Sequence, residues 1–165
     1  MKNAYLLTRA GITATLYVVL TFATLNFASG FVQLRLSEAL TILPLLFPET
    51  SVALFVGCII ANLITGCAPY DIVFGSLITL LSALLTAFVG KKIRNSALKV
   101  FVGGLFPVLM NAFLLPVVWY YVYGELEFLY IVQVLILLVS QSISVYAVGY
   151  PLYYGVEKLK NKINV

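Results

Sequence analysis

The sequence predicts an all-α integral membrane protein with six transmembrane helices and both termini on the cytoplasmic side. Three observations carry that prediction. The chain is 62% hydrophobic and only 10% charged over 165 residues, whereas a soluble domain is typically about half apolar and about a quarter charged. With a mean hydropathy of +1.07, the bilayer is its expected solvent. The length accommodates about six spans at roughly 20 residues each. Finally, the basic residues fall into three clusters, and placing all three on one side of the membrane fixes the parity of crossings between them. No linker or low-complexity tract divides the chain, so residues 1–165 are read as a single transmembrane domain. The first apolar run is not read as a removable signal peptide, because no small-residue cleavage site and polar mature sequence follow it.

The first helix is expected near residues 4–26, flanked by Lys2 and Arg9. Its small residues Ala10, Gly11 and Ala14 include an Ala-x-x-x-Ala spacing that lets another helix approach closely, either inside the domain or from a partner. The second run, residues 37–47, is bracketed by Arg35 and Pro48. As an α-helix it would reach about 17 Å, short for a hydrocarbon core about 30 Å thick. Helices three to six are expected near 49–66, 70–89, 97–122 and 128–154. Lys91, Lys92, Arg94 and Lys99 fill the link between the fourth and fifth, and Lys158, Lys160 and Lys162 close the chain. If these clusters share the cytoplasmic side with Lys2 and Arg9, the short second run must cross. The outer side then carries Glu38, Asp71, Glu125 and Glu127, with Arg35 its lone basic residue. The net charge of +4 is thus topological; no nucleic-acid partner is expected, and the basic tail suits anionic lipid.

Several function classes are disfavoured. The chain has no histidine, which removes the commonest acid–base group. It lacks a phosphate-binding Gly-rich loop, a zinc signature and a Ser/His/Asp set. No enzyme activity, cofactor or metal is expected. Cys58 and Cys67, read as lying on one helix, would be about 13 Å apart, too far for a disulfide. They are read as small buried hydrophobes. No internal repeat of the kind seen in inverted-repeat transporters is visible.

The informative residues are polar groups inside apolar runs, where they cost free energy unless they face protein or a cavity. Within "FVQLRLSEALTILPLLF" stand Gln33, Arg35, Ser37 and Glu38. One reading is local: Ser37 caps a helix, Glu38 sits in its positive first turn, and Arg35 pairs with it. The other points Gln33, Arg35 and Glu38 into an outward-facing pocket. Asp71 begins the fourth helix, and Asn62 lies on the third. Asn111, Leu115 and Trp119 share a face of the fifth; Gln133, Leu137, Gln141 and Ser144 share one of the sixth. Any one amide reads as interhelical glue, worth about 0.6 kcal/mol. Together they describe a cavity lined by amides, carboxylates and aromatics, suited to a flat polar heterocycle.

The stretches "FVQLRLSEALTILPLLFPE", "GCIIANLITG" and "YDIVFGSLITLLSALLTAF" resemble the QueT family, substrate-binding S components of energy-coupling-factor (ECF) transporters. The resemblance runs from the first helix through the fourth. It is most specific in Gln-x-Arg-x-Ser-Glu-Ala-Leu; the last two helices match in general character. It implies an S-component-like six-helix bundle, multi-pass in the cell membrane. Its partners would be a membrane coupling subunit and two cytoplasmic ATPases, with Ala10 and Ala14 as the docking motif. The bundle would topple to carry its ligand inward. The implied substrate is a queuosine precursor: the aminomethyl-deazaguanine preQ1, queuine or queuosine. On that substrate, Glu38 would accept a fork of ring donors and Asp71 would face the aminomethyl cation. Arg35 would orient Glu38 or donate to the ring carbonyl, with Gln33 in support. Asn62, Asn111 and Gln141 would complete the edge, and Trp119 or Tyr70 would stack. The alternatives are an S component for another purine-like or vitamin-like heterocycle, and a structural scaffold without a small ligand.

Overall fold

The computed structural model describes residues 2–25, 34–124, 126 and 129–163. Among them helices form throughout and no strand occurs. In order these are α1 (Lys2–Ala23), a 3-10 helix (Leu36–Leu45), α2 (Thr50–Ile64), α3 (Pro69–Lys92) and α4 (Ser96–Tyr123). A last rod follows, composed of α5 (Tyr130–Ser142), a π-helical segment (Ile143–Val148) and α6 (Gly149–Ile163). Among the described residues four stretches are long and apolar enough to cross a membrane: Ala4–Ala23, Pro69–Lys92, Ser96–Tyr123 and Tyr130–Lys162. The 3-10 helix and α2 are shorter apolar helices.

The ends of these helices follow from their sequences. Pro69 opens α3, where its missing N–H costs nothing. Lys91 and Lys92 close it, favoured by the negative end of the helix dipole. Asn95 caps α4, its Oδ1 accepting from the Leu98 N–H at 3.0 Å. At the end of α2, Gly66 adopts φ 72°. The Gly66 N–H donates to Leu63 O at 3.3 Å and the Cys67 N–H to Asn62 O at 3.0 Å, a Schellman closure. This turn carries Cys67 off the helix and back beside Asn62. The reading of both cysteines on one helix is therefore corrected. Both thiols are free.

The second apolar run is the main surprise. The expected α-helix at 37–47 is a 3-10 helix, which rises about 2.0 Å per residue instead of about 1.5 Å. Ten residues therefore reach about 20 Å. A 3-10 helix also repeats every three residues, which gives it three clean faces. Leu40 and Leu43 enter one core cluster with Tyr17, Leu54, Cys58, Ala61 and Ala83. Ile42 and Leu45 enter another with Val89, Val100, Val108, Val145 and Tyr153. Glu38 and Thr41 occupy the third. Residues 37–45 are all buried, and every other helix except α5 packs against this segment. Gly90 of α3 makes the closest approach: a Cβ there would lie 2.5 Å from the Leu45 carbonyl oxygen, so only glycine fits.

One end of the bundle gathers basic groups. Arg9 pairs with Glu49 at 3.1 Å. The Arg9 guanidinium and Lys160 Nζ lie 4.4 Å and 5.0 Å from the Phe47 ring centre, and Lys160 Nζ donates to Leu46 O at 3.1 Å. Ser96, at the start of α4, donates to Glu157 of α6 at 3.0 Å. The first, middle and last basic clusters thus share one end of the molecule. Asp71, Cys67, Trp119 and Tyr123 lie at the other.

Candidate functional site

The site grows from a carboxylate that burial forces into company. Glu38 is 3% exposed, and a buried charge is costly unless hydrogen-bonded. It stands at the start of the 3-10 helix, so its side chain points between α1 and α4. From α1, Tyr17 donates its hydroxyl to Glu38 Oε1 at 2.5 Å. From α4, Asn111 Nδ2 donates to Oε2 at 3.2 Å and to Gln141 Oε1 at 3.4 Å. A carboxylate offers about four acceptor positions. Among the described residues the protein fills one on each oxygen, which leaves one on each unfilled.

Glu38, Asn111 and Gln141, without Tyr17, line a cavity of about 100 Å³, several times the ~10–15 Å³ that one water needs. Its lining also includes Asn62 and Cys58, buried like Glu38, Asn111 and Gln141, and the half-buried Arg35 and Cys67. Asp71, Gly75 and Thr79 come from α3, and Leu115 and Trp119 from α4. Arg35 does not pair with Glu38. Its Nη1 donates to Asn62 Oδ1 at 3.3 Å, and its buried Nε has no partner among the described residues. Asn62 in turn sits between the two thiols: its Nδ2 donates to Cys58 Sγ at 3.5 Å, and Cys67 Sγ donates to its Oδ1 at 3.8 Å. At the rim, Trp119 Nε1 donates to Asp71 Oδ1 at 3.0 Å and Tyr123 OH to Oδ2 at 2.7 Å.

The expected site residues divide clearly. Arg35, Glu38, Asn62, Asp71, Asn111, Trp119 and Gln141 all line the one cavity. Tyr70 does not; it is 59% exposed, because it points away from its neighbour Asp71 on the same helical turn. Gln33 lies outside the described residues. The local reading of Arg35 and Ser37 also fails. No ion pair joins Arg35 to Glu38 among the described residues, and Ser37 Oγ accepts from Thr21 Oγ1 at 2.8 Å instead of capping. The Ala14 backbone packs against α2, where a Cβ on Gly57 would lie 3.0 Å from its carbonyl oxygen, while the residue as a whole is half-buried. Ala10 is half-buried on the same helix.

Sequence reasoning missed Tyr17, Cys58, Cys67, Gly75, Thr79 and Tyr123. A signal was present for most. Asp71, Gly75 and Thr79 step by four along one helix, as do Cys58 and Asn62. Thr13, Tyr17, Thr21 and Thr24 form a buried stripe at steps of four and three. Only Cys67 had none, since a turn places it.

What the cavity offers is one guanidinium against two carboxylates, with amides and an indole between. That set suits a flat ring with paired donors on one edge and a cation at the other end. The family model described as QueT transporter matches residues 7–158, and the chain belongs to that family. No curated protein and no solved structure matches.

Proposed function

We propose that this member of the QueT transporter family is the substrate-capturing S component of an ECF-type importer, and that it takes up a queuosine precursor. The observation that carries the reading is the half-filled carboxylate of Glu38. Each of its oxygens already accepts one protein donor and, among the described residues, keeps one position free, and the residue lines the cavity. The guanine edge of a deazaguanine presents two adjacent donors, which fit those positions as a fork. Asp71 likewise keeps capacity on both oxygens beyond its bonds to Trp119 and Tyr123. In this reading that capacity takes the cationic aminomethyl group. The Nε of Arg35, unpartnered among the described residues, is a donor for a ring carbonyl, and Asn62 and Gln141 complete the edge.

Substrate enters from outside, and we assign the protein no catalytic step. The shared end of Arg9, Ser96 and Lys160 supports a cytoplasmic placement of the basic clusters and both termini. It also supports six crossings of the plasma membrane, the 3-10 helix among them. A membrane coupling subunit docks along the α1 edge that holds Ala10 and Ala14, and two cytoplasmic ATPases drive delivery. Thermal-shift measurements on the purified protein with preQ1, queuine, queuosine and a panel of vitamins test this. Stabilisation by deazaguanines alone supports the reading. Stabilisation by another vitamin or purine places the chain with a different heterocycle, and none at all favours a scaffold.

A further inference from the structure

Tyr17 belongs to a helix that lines no part of the cavity: none of the described residues of α1 is among those around it. Yet its ring is fully buried, and its hydroxyl makes the shortest bond to the pocket's carboxylate. A phenol is not needed to fill that core position, where Leu40, Leu43, Leu54 and Ala61 supply the surroundings. Burying an O–H costs free energy unless it finds an acceptor, and the acceptor here is Glu38 Oε1. The bond therefore works in both directions. Glu38 satisfies the tyrosine, and the tyrosine fixes which oxygen, at which angle, faces the ligand.

The seat of α1 sets that bond. At Gly57 of α2, an added Cβ would lie 3.0 Å from the Ala14 carbonyl oxygen, 3.0 Å from Tyr17 Cβ and 3.2 Å from Ala14 Cα. The two helices are as close as glycine allows, at the turn that carries Tyr17. Thr21 Oγ1, one turn further along α1, donates to Ser37 Oγ and ties the same helix to the residue before Glu38. A displacement of α1 by a few tenths of an ångström reaches the pocket through both contacts.

We propose that Tyr17 is a positioning residue of the binding site and that the α1–α2 contact at Gly57 sets the pocket's affinity through the Tyr17–Glu38 bond. A partner that moves α1 then changes ligand affinity without touching the cavity. The inference rests on the pocket assigned above, and its test separates the two. Isothermal titration with preQ1 is run on the wild-type protein, Tyr17→Phe, Gly57→Ala, Glu38→Gln and the Tyr17→Phe/Glu38→Gln pair. Tyr17→Phe keeps the ring in the core, and loses affinity by roughly tenfold, the scale of one hydrogen bond to a charged group. Gly57→Ala, remote from ligand, weakens binding severalfold in the same direction. In the Glu38→Gln background, Tyr17→Phe has no further effect, because the two act as a unit. Wild-type affinity in Tyr17→Phe, or losses that multiply in the pair, overturns the proposal and leaves Tyr17 as core packing. If the wild-type protein does not bind preQ1, the substrate reading fails, and an infrared measurement decides this proposal by itself. The Glu38 carboxyl band, assigned by its loss in Glu38→Gln, moves in Tyr17→Phe if the coupling exists; an unmoved band overturns it.

Discussion

At the residue scale, the site is a set of carboxylates whose bonds are only half used. Glu38 and Asp71 were legible as candidates because a charge inside an apolar run has few bland explanations. Their partners were harder to foresee. Arg35 and Glu38, three apart, suggested an ion pair, but an extended Arg35 sends the guanidinium to Asn62. Tyr70 and Trp119 were equal candidates for stacking, and helical geometry separated them: Tyr70 faces outward, while the Trp119 indole is fixed by Asp71. Asp71 gives a selective prediction. Asp71→Asn removes a charge at the rim but keeps an acceptor for the indole. It weakens preQ1, whose aminomethyl group is cationic, by about 1–3 kcal/mol. It leaves 7-deazaguanine, which lacks that group, within about 0.5 kcal/mol of wild type. Parallel titrations with the two compounds read the split directly, and equal losses would separate Asp71 from the cation. Tyr70→Phe changes neither by more than about 0.5 kcal/mol.

At the scale of elements, the long helices were legible because twenty-residue apolar runs leave little choice of structure in lipid. The 3-10 helix was not. Its residues favour no 3-10 form by themselves, and Pro44 lies inside it. What selects the tighter helix is context: three faces meeting different neighbours, and a length that ten α-helical residues would not reach. The last rod shows a similar limit. A helix was expected to stop near residue 154, whereas it continues to Ile163, and within the expected range lies a π-helical segment, Ile143–Val148, whose Ser144 and Val145 are buried. The grip on the 3-10 helix is testable through glycine. Gly90→Ala drives a Cβ to 2.5 Å from backbone at Leu45. It destabilises the detergent-solubilised protein by about 1–3 kcal/mol, as overpacking does. In Gly11→Ala the new Cβ meets nothing within 4 Å, and the helix interior gains up to about 1 kcal/mol. Thermal unfolding of the two variants moves in opposite directions; a Gly90→Ala protein as stable as wild type would remove the 3-10 helix from the centre of the packing argument.

At the scale of the whole molecule, charge placed along the chain agrees with charge placed in space. The basic groups that parity put on one side of a membrane meet at one end of the bundle, through Arg9, Phe47, Lys160 and the Ser96–Glu157 contact. The cavity's acidic rim is at the other. In intact cells, Arg94→Cys in a cysteine-free background stays unlabelled by an impermeant thiol reagent, and Leu129→Cys is labelled; the reverse pattern would invert the molecule. The central claim is that Glu38 reads the ligand, and one comparison tests it most directly: isothermal titration of preQ1 into the wild-type protein and Glu38→Gln, at matched thermal stability. Glutamine keeps the shape but turns an acceptor into a donor facing a ring donor. The account predicts a loss of roughly 2–4 kcal/mol, or about 30- to 1,000-fold in Kd. Near-wild-type affinity in a folded Glu38→Gln protein would contradict it.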